Sequence, residues 1–453
     1  MPKYKSNRLE IEYCSPRDLR PNANNAKVHS KQQINKIANS IERFGFANAV
    51  LISDEREIIA GHARVEAAKQ VGLKLIPTVR LSSLTRAEQL AYTLADNRLA
   101  EFARYDRDLL AVQLEELTNL GFDEIEVTGF ALGDIDIRLE ETAEKHGRSV
   151  APADELPAPR KSVVSRQGDL WILGSHRLYC GDATAAADCR RLLDGQQVDM
   201  VLTGPPWNLP TRYFSGLGRH RHADFAMAHG EKSEREFTEF LSSFLQLAKE
   251  ASKPGAIMFV FMIWRHLFEL LTAARAQQLP LKNLIAWAKP NAGMGSFYRS
   301  QHELIAVFTN GDAAHLNTFE LGQHGRHRSN LWSYAGGGSI HAGRAEELAM
   351  HPTCKPAALL ADAIRDVSRR GAIVFDPFAG SGSTLIAAEK TGRRAYVLEV
   401  DPVYCDVIVR RFEAYTGKTA QLSGEDLTFE KAENTRGAGS ASPESLDQRR
   451  QPD

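Results

Sequence analysis

Apolar residues recur every three or four positions through Lys31–Phe44 (Ile34, Ile37, Ile41, Phe44), the period of an amphipathic helix. A short apolar run, Ala49–Ser53, and the turn Asp54–Arg56 follow, so a strand is expected there. Glu57–Gly72 then reads as a short strand passing through Gly61 into a helix that Gly72 ends. A further strand is expected at Leu75–Val79, and a helix over Thr85–Leu99, which opens on Thr85 and Glu88 in capping-box spacing. Residues 8–100 thus form one compact α/β unit. Residues 101–160 read as a helical connector closing in a linker, Ala151–Arg160, with three prolines in ten residues.

A second alternating pattern fills residues 161–421. Buried strands are expected at Asp199–Thr203, Ala256–Phe261, Leu304–Phe308, Ile373–Asp376 and Ala395–Val400, several followed by helical segments. That alternation predicts a mostly parallel, doubly wound sheet. The longest apolar run, Ala256–Trp264, is far short of the roughly 20 residues a membrane span needs. Residues 422–453 are polar and poor in aliphatics, and disorder is expected there.

Composition adds limits. The chain has 453 residues, 43% hydrophobic and 25% charged, which is ordinary for a soluble protein of two or three domains. Lys plus Arg number 56 against 57 for Asp plus Glu, so any nucleic-acid contact must be local rather than driven by a global field. Five scattered cysteines without metal-ligand spacing point to a reducing cytoplasm and no metal.

Chemistry is concentrated in three places. In Val374–Thr384 (VFDPFAGSGST) a strand ends at Asp376, and the turn through Phe378, Gly380 and Gly382 leads into a helix over Ser383–Thr391. Glycines there let a ligand approach the backbone, and the helix start offers N–H donors. A second strand ends in Glu399 and Asp401, placed to bind ribose hydroxyls. The set reads as a nucleoside-cofactor site; without a third fingerprint glycine or a P-loop lysine, NAD and ATP fit poorly. The second place is Gly204-Pro205-Pro206-Trp207, a rigid turn after a buried strand, with Trp207 offering a face for a base. The third is His351–Pro356 (HPTCKP).

Along the chain the PPW turn comes first and HPTCKP followed by the glycine turn comes last; in that order, together with GMGSFYRSQH (293–302) and SNLWSY (329–334), these motifs resemble the β class of amino-group DNA methyltransferases. The resemblance implies a Rossmann-like, S-adenosylmethionine-dependent methyltransferase fold that acts on adenine N6 or cytosine N4, with adenine the expected target. It implies cofactor contacts from Asp182, Thr353, Lys355, Asp376, Phe378, Gly380, Gly382 and Glu399. It also implies that Gly204–Trp207 is the catalytic turn. The family turn normally starts with Asp, Asn or Ser, and Gly204 lacks that acceptor, so impaired turnover is expected. DNA contacts are expected from two basic, aromatic stretches, through Arg212, Arg219 and Arg221 and through Lys289, Arg299, Arg326 and Arg328.

The first unit resembles the N-terminal domain of ParB-like partition proteins through Leu19–Asn25 (LRPNANN), Ile37–Phe46, Val50–Ile52 and Ile59–Ala68 (IAGHARVEAA). A phosphate site at Gly61, His62 and Arg64 follows, with His62 standing where the family has glutamate. A fusion of this kind looks like a prophage arrangement, with restriction-modification as its setting. The expected partners are double-stranded DNA, a second copy in a homodimer, and a nucleotide at the ParB-like domain, all in the cytoplasm at the nucleoid. The rival reading is a non-catalytic, partition-like module that binds DNA without methylating it.

Overall fold

The computed structural model describes residues 9–120, 122, 124–130, 135, 153–154, 156–157, 163–209, 228, 230–290, 292, 297–318, 329–334, 355–425 and 427–436. The chain separates into two compact units, Met1–Leu139 and Glu140–Asp453.

In the first unit the strands β1 (Ile11–Cys14), β2 (Val50–Ile52), β3 (Ile58–Ala60) and β4 (Ile76–Arg80) lie in the order β1-β4-β2-β3. Only the β2/β4 pair is parallel. Helix α1 (Lys31–Phe44) starts where the Ser30 hydroxyl accepts the Gln33 N–H and stops at Gly45, in the left-handed region at φ 78°. Its Ala38 and Ile41 bury against Ala67 of α2 (His62–Val71). Both halves of the Thr85–Glu88 capping box form at the start of α3 (Arg86–Leu99). Within α4 (Arg107–Asn119), Leu110, Ala111 and Leu114 close a small core of their own with Ile125 and Ile135.

The second unit is built on one sheet. Its strands are β5 (Leu170–Leu173), β6 (His176–Cys180), β7 (Val198–Thr203), β8 (Ser252–Met262), β9 (Leu281–Ala288), β10 (His302–Thr309), β11 (Leu331–Ser333), β12 (Ile373–Asp376), β13 (Arg394–Glu399), β14 (Gln421–Leu422) and β15 (Leu427–Thr428). Among the described residues their order is β11-β9-β10-β8-β7-β12-β13-β6-β5-β14-β15. The centre, from β8 through β7, β12 and β13 to β6, is all parallel. The flanks are largely antiparallel, so the expected mostly parallel sheet is found only in the middle.

Alternation along the strands makes two cores. Met200, Leu202, Phe259, Phe261, Val374 and Val397 face α8 (Ala357–Val367), α9 (Ser383–Thr391) and α10 (Pro402–Thr416). Val201, Met258, Val260, Phe375 and Tyr396 face α5 (Ala186–Leu193), α6 (Glu234–Ala251) and α7 (Leu267–Ala276). Because the five central strands run the same way, β6, β7, β8, β12 and β13 all end at one edge, where α/β sheets hold ligands.

Two boundaries differ from the sequence reading. Within the expected tail, β14, β15 and α11 (Phe429–Arg436) are ordered: Phe429 is buried edge-on to Trp171 at 5.2 Å, and Arg436 pairs with Asp169 at 2.5 Å. A short polar helix with only Phe429 and Ala432 inward carries little periodic signal. Part of the expected linker also packs on the second unit. Asp154 accepts the Ala357 N–H at the start of α8, Arg411 donates to the Ala153 carbonyl, and Leu156 is buried. Among the described residues no helix is long and apolar enough to cross a membrane.

Candidate active site at the sheet edge

Asp376 ends β12 with its carboxylate turned inward. It accepts from the Thr203 hydroxyl (2.6 Å), the Thr384 hydroxyl (2.6 Å) and the Phe378 N–H (3.1 Å). One buried side chain thereby ties the end of β7, the glycine turn and the start of α9 together. Burial pushes its carboxyl above the ordinary value, opposed by those three donors and by Lys355. Asp376 therefore positions the site rather than facing a ligand, and Thr203 and Thr384 are positioning residues that sequence patterns did not reveal.

The turn after Asp376 runs through Gly380 (φ 55°) and Gly382 (φ 82°). Both angles lie in the left-handed region that glycine adopts without strain. A Cβ on Gly382 would stand 3.0 Å from Ile408 Cγ1, so side-chain space is closed there as well. Gly382→Ala is expected to cost about 1–3 kcal/mol from the strained φ alone, seen as a lowered melting temperature of the second unit. Arg411, fully buried, braces the turn from beneath by donating to the Ser381 carbonyl (2.9 Å) and Ser383 hydroxyl (3.1 Å). Nothing in the motif pointed to Arg411, since its neighbours in sequence are ordinary core residues of α10.

Glu399, at the end of β13, reaches across to this turn. Its Oε2 accepts the Gly380 N–H at 2.8 Å and its Oε1 the Asp401 N–H at 2.9 Å. Burial is the chief reason its carboxyl is pushed up to about 7; the Asp401 and Asp376 charges add to the shift, and the two N–H donors oppose it. On the neighbouring strand Cys180 pairs with Glu399, so Asp182 lies just beyond the same edge. The Asp182 carboxylate holds its own loop, accepting from the Thr184 N–H and hydroxyl, both at 2.8 Å. Phe378 points to the other core, edge-on to Phe244 at 5.1 Å.

The Gly204–Trp207 turn leaves β7 at this edge. Gly204 has none of the positive φ values that require glycine, so the backbone there accepts any residue. What occupies its side-chain space is Lys355: a Cβ on Gly204 would lie 2.5 Å from Lys355 Nζ. That ammonium also sits 4.9 Å from the centre of the Phe261 ring. Trp207 is 8% exposed and packed in the second core, so its ring anchors the turn instead of presenting an open face. Asn208 fixes the exit, donating to the Lys232 carbonyl and accepting from the Gly230 and Lys232 N–H groups.

The expected DNA-binding residues fare unevenly. Lys289 is half-buried and pairs with Glu303 at 2.5 Å, over the Trp287 ring, so its charge is largely spent internally. Arg299 is bonded to the Ala292 carbonyl in an exposed loop. Arg212, Arg219, Arg221, Arg326, Arg328 and Thr353 lie outside the described residues.

In the first unit Gly61 (φ 104°) opens α2, and Arg64 folds back on it: a Cβ on Gly61 would meet Arg64 Nη2 at 3.0 Å. His62 Nε2 accepts the Asn22 N–H (3.3 Å), and burial first, then His29, lowers its imidazole below the ordinary value. Gly61 and Arg64 are thus brought together, while His62 uses one ring nitrogen as an internal acceptor.

Comparison with known proteins finds three matches along the chain, and the middle one crosses the boundary between the two units. Residues 3–98 match the ParB N-terminal domain, residues 108–167 the ParB-methyltransferase HTH domain, and residues 198–410 a DNA methylase family of the N6/N4 type. The second match covers most of what the sequence reads as a connector. Over 80 residues the chain is 44% identical to the ParB-like nuclease domain-containing protein YnaK of Escherichia coli (strain K12), covering 18% of this chain and 92% of that protein. It is 25% identical over 231 residues to the type II methyltransferase M2.DpnII of Streptococcus pneumoniae, covering 48% and 84% respectively. Among solved structures, PvuII DNA methyltransferase (cytosine-N4-specific) aligns with a TM-score of 0.41 at 17% identity, covering 61% of this chain and 94% of that one. The chain belongs to the ParB-like family through its first unit, and its second unit is a DNA methyltransferase domain of the N6/N4 class.

Proposed function

We propose that the second unit transfers a methyl group from S-adenosylmethionine to the N6 amino group of adenine in double-stranded DNA, slowly, because Gly204 lacks the usual acceptor. The observation that carries the proposal is the adjacency of β7, β12 and β13, which brings the Gly204–Trp207 turn, the Gly380–Gly382 turn and Glu399 to one edge of the sheet. The turn fits such a cofactor: Gly380 and Gly382 supply the left-handed angles of a tight turn at the start of α9, and Glu399 offers a carboxylate to ribose hydroxyls. Asp182 would complete that side, and Lys355 would hold the carboxylate end. When bound, the cofactor supplies an electrophilic methyl carbon on a sulfonium.

The chain's own part is to orient the acceptor. An exocyclic amino group shares its lone pair with the ring and is a poor nucleophile. A hydrogen bond from one of its N–H groups to the Pro205 carbonyl turns the lone pair out of the ring plane, toward the methyl carbon. The base must leave the duplex for this, costing a few kcal/mol of unstacking. The pair of prolines keeps the carbonyl from being drawn into a helix.

Glu399 gives the reading a pH test. Ribose hydroxyls donate to the ionised carboxylate, and with its carboxyl at about 7 that form is scarce in weakly acidic solution. Affinity for S-adenosylhomocysteine should therefore rise between about pH 6 and pH 8 with release of up to one proton, and Glu399→Gln should flatten the rise. Calorimetry in buffers of different ionisation heat measures both; a flat wild-type profile contradicts the role. The same shift works against folding: a carboxyl raised from 4.5 stabilises the protein below that pH, and the contribution is lost as pH rises through about 7.

Gly204 favours a second reading, in which the methylase unit holds cofactor and DNA without turnover. Cytosine N4 is the alternative target. A prophage gene product working in the cytoplasm at the nucleoid, with a homodimer and a phosphate-bearing nucleotide at Gly61 and Arg64, accords with either.

A further inference from the structure

Two large aromatic side chains at the catalytic edge have no part in the core. Strand β8 ends at Met262, and a single turn of 3-10 helix, Trp264–His266, leads into α7. Trp264 is 47% exposed and Phe268 is 79% exposed. The turn itself is anchored: His266 stacks edge-on against buried Phe237 at 5.0 Å and bonds Glu269, which is 7% exposed, at 3.1 Å. Trp264, Arg265 and Phe268 are thereby left on the outer side, with the Arg265 guanidinium 4.8 Å from the centre of the Trp264 ring.

Register places this group. β8 is the parallel neighbour of β7, with Val260 level with Thr203, so Trp264 stands just past the edge from which Gly204 and Pro205 project. On the other side of β8, Met262 is level with Leu304 of β10, and the residues before that strand include Phe297 (96% exposed) and Tyr298 (80% exposed). Among the described residues Glu269 pairs with His266 and Glu303 with Lys289, and Arg265 brings a positive charge to the Trp264 ring.

We propose that Trp264 and Phe268 form a stacking ledge for a DNA base left unpaired or displaced when the target nucleotide is extruded, with Arg265 against the flanking phosphate. Flat rings beside a guanidinium suit unstacked bases of any sequence. Their position beside the catalytic turn, with buried Trp207 unable to offer an open face, selects DNA over a protein partner. The inference rests on the DNA-methyltransferase reading of this edge.

The five tryptophans make the test direct, because Trp171, Trp207, Trp287 and Trp332 are all 8% exposed or less. Iodide quenching of the full-length protein should report mainly Trp264. A duplex oligonucleotide carrying one abasic site should quench and shield that signal more than the fully paired duplex does. Trp264→Ala and Phe268→Ala should each weaken binding of the abasic duplex by about tenfold or more, Trp264→Phe should restore most of it, and S-adenosylhomocysteine binding should stay unchanged. Equal binding by all variants, or shielding that appears with protein concentration in the absence of DNA, overturns the ledge; the latter would make it a contact between copies. If wild type binds the abasic duplex through these residues yet transfers no methyl group, the ledge stands and the methylation reading fails.

Discussion

Gly204→Asp should raise methyl transfer to DNA by about 10² to 10³, the factor commonly lost when one positioned polar group at a reacting atom is removed. The backbone at 204 accepts a side chain, so the cost falls on Lys355, whose Nζ stands 2.5 Å from the new Cβ. An ammonium at the end of four methylenes can swing aside. It will then attract the new carboxylate, and that ion pair competes with the substrate amino group for the same oxygens. Gly204→Asn supplies an acceptor without the charge, so comparing the two variants separates the acceptor from the Lys355 effect. Turnover equal to wild type in both variants would mean that the missing acceptor does not limit the reaction.

The largest loss of stability is expected at Asp376. Asp376→Ala leaves the Thr203 hydroxyl, the Thr384 hydroxyl and the Phe378 N–H without their acceptor, in a place where Asp376 itself is 3% exposed. At ~1 kcal/mol or more for each stranded donor, the cost is about 3 kcal/mol or more. For a domain of this size that corresponds to a fall of about 4–5 °C or more in melting temperature. Cofactor affinity should fall too, since β7 and the glycine turn lose their tie. A calorimetric melt with two resolved transitions shows whether the loss is confined to the second unit; a melt in which neither transition moves would contradict the tie.

The local grammar of the chain was legible. Helix α1 spans the predicted residues because Ile34, Ile37 and Ile41 keep one face, and α9 starts where Gly382 releases the chain. The turns at Gly45 and Gly382 announce themselves through glycine, and strands through apolar runs, whereas the positive φ of Asn208 carries no such signal. Pairing did not: the antiparallel flanks and the folding of Phe429 against Trp171 depend on distant partners that no period encodes. Side-chain direction was equally hidden. Asp376 and Trp207 sit in motifs that suggest ligand contact, yet both turn inward, and Lys289 spends its charge on Glu303. The near-neutral net charge is consistent with a site that relies on a few placed groups such as Lys355 and Arg265 rather than a broad basic face.

If this chain methylates an amino group in DNA, Gly204 should set its rate. Single-molecule sequencing of DNA from cells that carry no copy, the wild-type gene or the Gly204→Asp gene tests it directly. N6-methyladenine is expected at one sequence motif, partial with wild type and near complete with Gly204→Asp. Unmodified DNA in all three, with the protein present and binding S-adenosylhomocysteine, would contradict it.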